Sequence, residues 1–343
     1  MFLIGALYGA GITQFDVASL AELDDAATIP GVRLHFMHPV KSRTAIRRAY
    51  HEYGIRCFAL DTEDELQKIV EETMTAEGPA RDLELFVRIS VPAKNSRIPL
   101  EKKFGITGQK AQKLLVKTRQ VADELGITFH VGSQTTTPDA YVSALDEVRK
   151  LIVKAGVVVD AIDVGGGFPS RYTDSEPAPL SSYIDVIKAG MESLPVTEHC
   201  RLICEPGRAL VAEAESLIVR VDARRGDELF INDGGYGALF DAAQLGFVFP
   251  VKLLRPGTEG ETLKPFEMWG PTCDSIDRMK GPFLLPASVR EGDFIEIGNL
   301  GAYGRALASR FNGYGHYEEV ILLDEPMYTM YADDERQRAG GGV

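Results

Sequence analysis

From Phe15 to about Glu215, short apolar runs alternate with stretches whose apolar residues recur every three or four positions. Strands and amphipathic helices taking turns give this pattern. The strand-like runs read FDVAS, RLHFMH, RCFALD, LELFVRIS, ITFHVGS, AIDVGGG and RLICEPG. Helical spacing fills the intervals, most clearly over Ser42–Tyr53, Thr62–Met74, Thr107–Leu125, Pro138–Ala155 and Ser181–Glu192. Asp61 reads as an N-cap, and Gly54, Gly126 and Gly156 stand where helices stop.

These runs number seven, whereas a closed (β/α)8 barrel takes eight strands. Seven would leave two unpaired parallel edges. The chain opens on MFLIGALYGAG, in which Leu3, Leu7 and Ala10 keep helical spacing and Gly11 sits at a C-cap before FDVAS. A helix that feeds a strand usually has a strand before it. The expected fold is therefore α/β, a TIM-like barrel with its first strand missing.

Beyond Glu215 the pattern changes. SLIVRVDARR, DELFIND, FPVKLL, FEMWG, DFIEIG and EEVILLD are strand-like and separated by Gly, Pro and Asp. The reading is a barrel domain over residues 1–215, a β-rich sandwich or barrel over 216–330, and a polar, glycine-rich disordered tail over 331–343.

Charge and cysteine usage remove some classes of function. With 37 basic against 50 acidic residues the net charge is −13, which argues against nucleic-acid or anionic-membrane partners and weakly suits a cationic substrate. No apolar run reaches membrane-spanning length, and the opening lacks a basic flank and a cleavage site, so a cytoplasmic protein is expected. Four cysteines without a CxxC pair and six scattered histidines without HExxH predict neither a disulfide framework nor a metal site.

Barrels of this kind carry their chemistry at the C-terminal ends of strands, and phosphate is commonly held by the last loops. Here those ends read Gly165-Gly166-Gly167 and Glu205-Pro206-Gly207-Arg208. Three glycines let backbone N–H groups close on a phosphate, and Arg208 adds a permanently charged fork. Glu205 is too polar for a barrel core, its plain alternative being a salt bridge to Arg208. His130, in HVGS, could stack or carry protons, or simply be hydrogen-bonded, and Ser133 beside it could add a phosphate contact.

Taken together, FDVAS, KFG, HVGSQ, DVGGGFP, EPGR, NDGGYG, WGPTCDSID and GNLGAYGRALASRFNG, in this order along nearly the whole chain, resemble the pyridoxal-phosphate-dependent ornithine/lysine decarboxylases of the alanine-racemase-like barrel type. The resemblance implies that Gly165, Gly166, Gly167, Ser133, Arg208 and Tyr303 hold the cofactor phosphate. It implies that Glu205 pairs with the pyridine nitrogen and that His130 stacks on the ring. Cys273 would reprotonate the substrate carbon and Asp274 would bind the distal amine, both reaching into the partner subunit's site in a homodimer. Asp16 would lie near the lysine that forms the Schiff base with the cofactor.

That lysine belongs, in the family, to a Tyr-Ala-x-Lys motif on the first barrel strand, and no such motif occurs in this sequence. Lys41 and Lys103 match other positions of the family pattern and are not expected to replace it. Asp241 is the nearest candidate for a second substrate-binding aspartate, although it stands closer to Tyr236 than its counterpart does in animal ornithine decarboxylases. The implied activity is decarboxylation of L-ornithine to putrescine, or of L-lysine to cadaverine, in polyamine biosynthesis. The alternative is a non-catalytic or truncated homologue that folds and dimerises without holding the cofactor covalently.

Overall fold

A computed structural model describes residues 2–331, so the expected disorder of 332–343 lies outside the described residues. The chain divides into two compact units, Met1–Gly167 with Ser181–Glu205, and Phe168–Leu180 with Pro206–Val343. The division falls after Glu205 rather than at the expected Glu215, and it assigns the segment after Gly167 to the second unit.

The first unit is a parallel sheet with its strands in chain order: β1 (Gln14–Asp16), β2 (Arg33–Phe36), β3 (Cys57–Leu60), β4 (Glu84–Arg88), β5 (Glu124–Thr128), β6 (Ala161–Asp163) and β7 (Arg201–Ile203). Helices α1 (Phe2–Gly9), α2 (Leu20–Ala26), α3 (Arg43–His51), α4 (Glu63–Glu72), α5 (Gly108–Arg119), α6 (Asp139–Ala155) and α7 (Leu180–Glu192) alternate with them. This is the βα repeat of the barrel expected from the sequence. An eighth strand is not among the described residues, and β1 and β7 form the two edges.

Burial along the strands follows from that order. All of β3 is buried, as a strand covered on both faces requires, while Leu202 on the edge strand β7 remains 40% exposed. On one face of the sheet Met37, Cys57, Ala59, Phe86 and Ala161 pack together with Ile203 against them. Each large apolar side chain buried in this way stabilises the fold by about 1.5–3 kcal/mol.

Three local expectations are corrected here. Gly126 does not end a helix: it lies inside β5, opposite Phe86, where a Cβ would come within 2.3 Å of the Phe86 ring. The helix expected over Thr107–Leu125 therefore stops at Arg119. The N-cap of α4 is Thr62, which accepts from the Glu65 N–H, while Asp61 accepts from Gly105 N–H at 2.9 Å. By contrast Gly156 caps α6 in the left-handed conformation, as its place in the sequence suggests.

The second unit carries a mixed sheet built from β8 (Leu217–Arg225), β9 (Glu228–Ile231), β10 (Val251–Leu253), β11 (Leu263–Trp269), β12 (Arg278–Pro286) and β13 (Phe294–Ile297), in the order β10-β13-β8-β9-β11-β12. Strand β12 escapes a sequence reading because Gly281-Pro282 in its middle looks like a break. The expected strand EEVILLD is absent from the sheets, and Ile321 and Leu323 are exposed. Short runs of β-branched residues fit a pleated surface only where a neighbouring strand accepts them.

Candidate active site

Within the first unit, chemistry gathers at the C-terminal ends of β1, β5, β6 and β7. Asp163, at the end of β6, is fully buried and accepts from Thr128 Oγ1 at 3.0 Å and from Gly165 N–H at 2.9 Å. Glu205, just past β7, is hydrogen-bonded to both Asp16 and Asp163. Three carboxyl groups thus share one place. Burial, reinforced by the charge of its neighbours, holds the Glu205 and Asp163 carboxyls well above the usual carboxylate range.

Asp16 stands at the solvent-accessible edge of the sheet, yet its carboxyl is crowded by protein. Desolvation and the Asp163 charge, opposed by the hydrogen bond from Glu205, push it up to about 6. In the unfolded chain the same group titrates near 3.8. The folded state therefore binds the proton more tightly, and this contribution to stability is full below pH 3.8 and lost as pH rises through about 6. The unfolding temperature is expected to fall across that window, and Asp16→Asn to flatten the fall. Scanning calorimetry at either end checks it, and an unchanged slope in the variant would count against Asp16 as the source.

His130 is kept neutral. Burial first, and then the Arg88 charge, pull it down to about 4. Its Nδ1 accepts from Gly132 N–H at 3.0 Å, which leaves the ring proton on Nε2. The imidazole lies over the glycine turn, for a Cβ on Gly166 would come within 2.9 Å of His130 Nε2. Gly165 adopts φ +67, and a Cβ there would lie 1.9 Å from the Phe129 carbonyl oxygen. Only glycine allows this turn. Ser133 begins a short strand, Ser133–Thr135, that pairs with Ser96–Ile98.

Lys41 is not available as a displaced nucleophile. Its side chain is buried, and Nζ donates to His38 O at 2.9 Å and Ala59 O at 2.6 Å and pairs with Glu65 at 3.0 Å. Burial draws its pKa down to about 8 against the pull of Glu65. Lys103 is exposed, with Nζ 5.0 Å from the Phe104 ring centroid.

Within the second unit, Arg208 begins the one-turn helix Arg208–Val211 and is buried. One terminal nitrogen donates to Tyr172 Oη at 2.8 Å and the other to Asp241 Oδ2 at 3.2 Å. Aromatic rings enclose the guanidinium, with Phe247 at 4.9 Å and Tyr303 at 4.8 Å from centroid to guanidinium carbon. Within this fork the buried Nε–H has no acceptor among the described residues.

The second unit also holds an open cleft of about 410 Å³ lined by Cys273, Asp274, Thr272, Phe230, Trp269 and Tyr314, among others. Cys273 is exposed there. Asp274 accepts from Tyr236 Oη at 2.5 Å and from Ile276 N–H at 3.1 Å, and these bonds hold its carboxyl below the usual range, so it is ionised at neutral pH. Asp277 fixes the loop from behind: it is buried and accepts from Gly235 N–H at 2.7 Å and Thr272 Oγ1 at 2.7 Å.

The sequence reading did not assign Asp163, Arg88, Tyr172 or Asp277. Asp163 and Asp277 lie inside motifs that were recognised, DVGGG and CDSID, where their acidity in an apolar or turn context was the available signal. Arg88 ends β4 in FVRIS, at the strand position where function was expected. Tyr172 offered no local signal.

A family model described as pyridoxal-dependent decarboxylase, pyridoxal binding domain, matches residues 2–212. The chain is 32% identical to an ornithine decarboxylase of Schizosaccharomyces pombe, over 91% of this chain and 73% of that protein. It is 28% identical to a lysine/ornithine decarboxylase of Selenomonas ruminantium, over 98% and 85%. It also superimposes on the crystal structure of a Vibrio vulnificus lysine/ornithine decarboxylase complexed with cadaverine, with a TM-score of 0.78 and 30% identity over 94% of this chain and 84% of that one. A barrel with phosphate-compatible glycines and buried carboxyls, followed by a β unit bearing a cysteine beside an ionised aspartate, agrees with these matches: the chain belongs to the pyridoxal-phosphate-dependent ornithine/lysine decarboxylase family.

Proposed function

We propose that this protein decarboxylates a basic amino acid, L-ornithine or L-lysine, to putrescine or cadaverine with pyridoxal phosphate as cofactor, as a cytoplasmic homodimer serving polyamine biosynthesis. The observation that carries the substrate class is Asp274, held ionised beside Cys273 in one cleft. A carboxylate there suits a substrate with a cationic side chain. One methylene separates the two amino acids, a difference worth only about 1–3 kcal/mol in a pocket, so turnover of both is expected.

The residues fit the cofactor on three counts. Arg208 has a buried Nε–H in need of an acceptor, which a phosphate oxygen would supply. The Gly165–Gly167 turn carries no side chains of its own, and the N–H groups of Gly166 and Gly167, with the Ser133 hydroxyl, would offer donors to a phosphate. The Asp16, Asp163 and Glu205 carboxyls form a place where a protonated ring nitrogen would relieve negative charge.

When bound, pyridoxal phosphate supplies a sink for the electron pair left by departing CO₂. Glu205 would hold the proton on the ring nitrogen, and low solvent access there would keep water from screening that ion pair. His130, being neutral, would cover the ring face without repelling the nitrogen's charge. Tyr303, beside Arg208, would join it on the phosphate. Asp274 binds the substrate's distal ammonium, and Cys273 returns a proton to the substrate carbon, both acting in the partner subunit's site.

The test is CO₂ release from labelled ornithine, lysine and arginine by the purified protein supplied with pyridoxal phosphate. Release from ornithine or lysine, with arginine at least tenfold slower, is expected. Cofactor binding without release from any of the three would favour the non-catalytic alternative.

A further inference from the structure

We propose that Asp241 is a positioning residue for Arg208, an inference that rests on Arg208 binding the cofactor phosphate. The geometry on which it stands is the buried ion pair. Asp241 Oδ2 lies 3.2 Å from Arg208 Nη2, and both side chains are almost wholly removed from solvent, at 6% and 3% exposure.

What Asp241 does for Arg208 follows from the arrangement of the fork. Guanidinium is planar, so fixing both terminal nitrogens fixes the direction of Nε–H. Tyr172 takes Nη1 at 2.8 Å and Asp241 takes Nη2. Phe247 and Tyr303 close on the guanidinium and discourage rotation. The donor left without an acceptor is Nε–H. Asp241 reaches this place because α9 (Phe240–Gln244), after α8 (Arg208–Val211), carries it in its first turn.

The experiment measures binding of pyridoxamine 5′-phosphate and of pyridoxamine to the purified chain by calorimetry. Neither ligand can form a Schiff base with a lysine, and their affinity ratio isolates the phosphate. Wild type is expected to prefer the phosphorylated ligand, and Arg208→Met to lose that preference. Asp241→Ala, which frees the fork, should lower the preference about tenfold. Asp241→Asn keeps an oxygen for Nη2 while removing the opposing charge, so it should raise the preference threefold or more. A wild-type ratio in both Asp241 variants overturns the inference while leaving Arg208 in its role. Loss of any preference in wild type, or retention of it in Arg208→Met, instead overturns the phosphate reading and the inference with it. If Asp241→Ala does not fold, the rise in Asp241→Asn decides alone.

Discussion

Glu205→Gln is expected to slow decarboxylation by about 10²-fold or more, a loss of about 3 kcal/mol of transition-state stabilisation, while leaving the preference for phosphorylated ligand intact. A neutral amide can hydrogen-bond a ring nitrogen but cannot balance the charge of a protonated one. In the free protein Glu205 sits in contact with Asp16 and Asp163, and burial makes its charge expensive unless a cation faces it. A protonated ring nitrogen facing this carboxyl would therefore make it an effective counter-ion. Arg208→Ala should do the reverse, weakening the phosphorylated ligand first. CO₂ release and ligand affinity, measured on both variants, separate the two roles. Equal loss of cofactor affinity in both would contradict the division.

Cys273→Ala should leave cofactor affinity unchanged and slow formation of the correct amine by roughly 10²–10⁴-fold, the usual range for a positioned proton donor. The plain alternative, a buried small residue, is the commoner fate of a cysteine, but Cys273 is exposed on an open cleft beside an ionised aspartate. If it acts across a two-fold interface, a Cys273→Ala subunit mixed with a Glu205→Gln subunit forms hybrids in which one site has both defects and the other neither. Activity should then return to at most half per hybrid dimer. No recovery, with hybrids confirmed by native mass spectrometry, would place Cys273 in its own subunit's site or outside the reaction.

By itself the sequence determined the repeating βα order, the later change to β structure, and the motifs that carry the family resemblance. Each depends on local information: period, caps and turn residues. Gly156 could be read as a helix stop because its left-handed conformation is a property of its own backbone. Gly126 could not be read correctly, because what demands glycine there is the Phe86 ring, forty positions earlier in the chain and adjacent only after the strands pair. For the same reason β12 was hidden by Gly281-Pro282, while EEVILLD was mistaken for a strand.

The site divides along the same line. Glu205, His130 and Arg208 were legible as candidate residues, since charge and rigidity at strand ends are visible in one dimension, and Asp274 came from the family resemblance. Their states were not. That Glu205 meets Asp16 and Asp163, that His130 is neutral, and that Asp241 lies on Arg208 are facts of desolvation and of distance between segments remote in sequence. Protonation and pairing energies depend on how much water the surrounding chain removes and on which charges it brings within a few ångströms, and only the tertiary structure decides that.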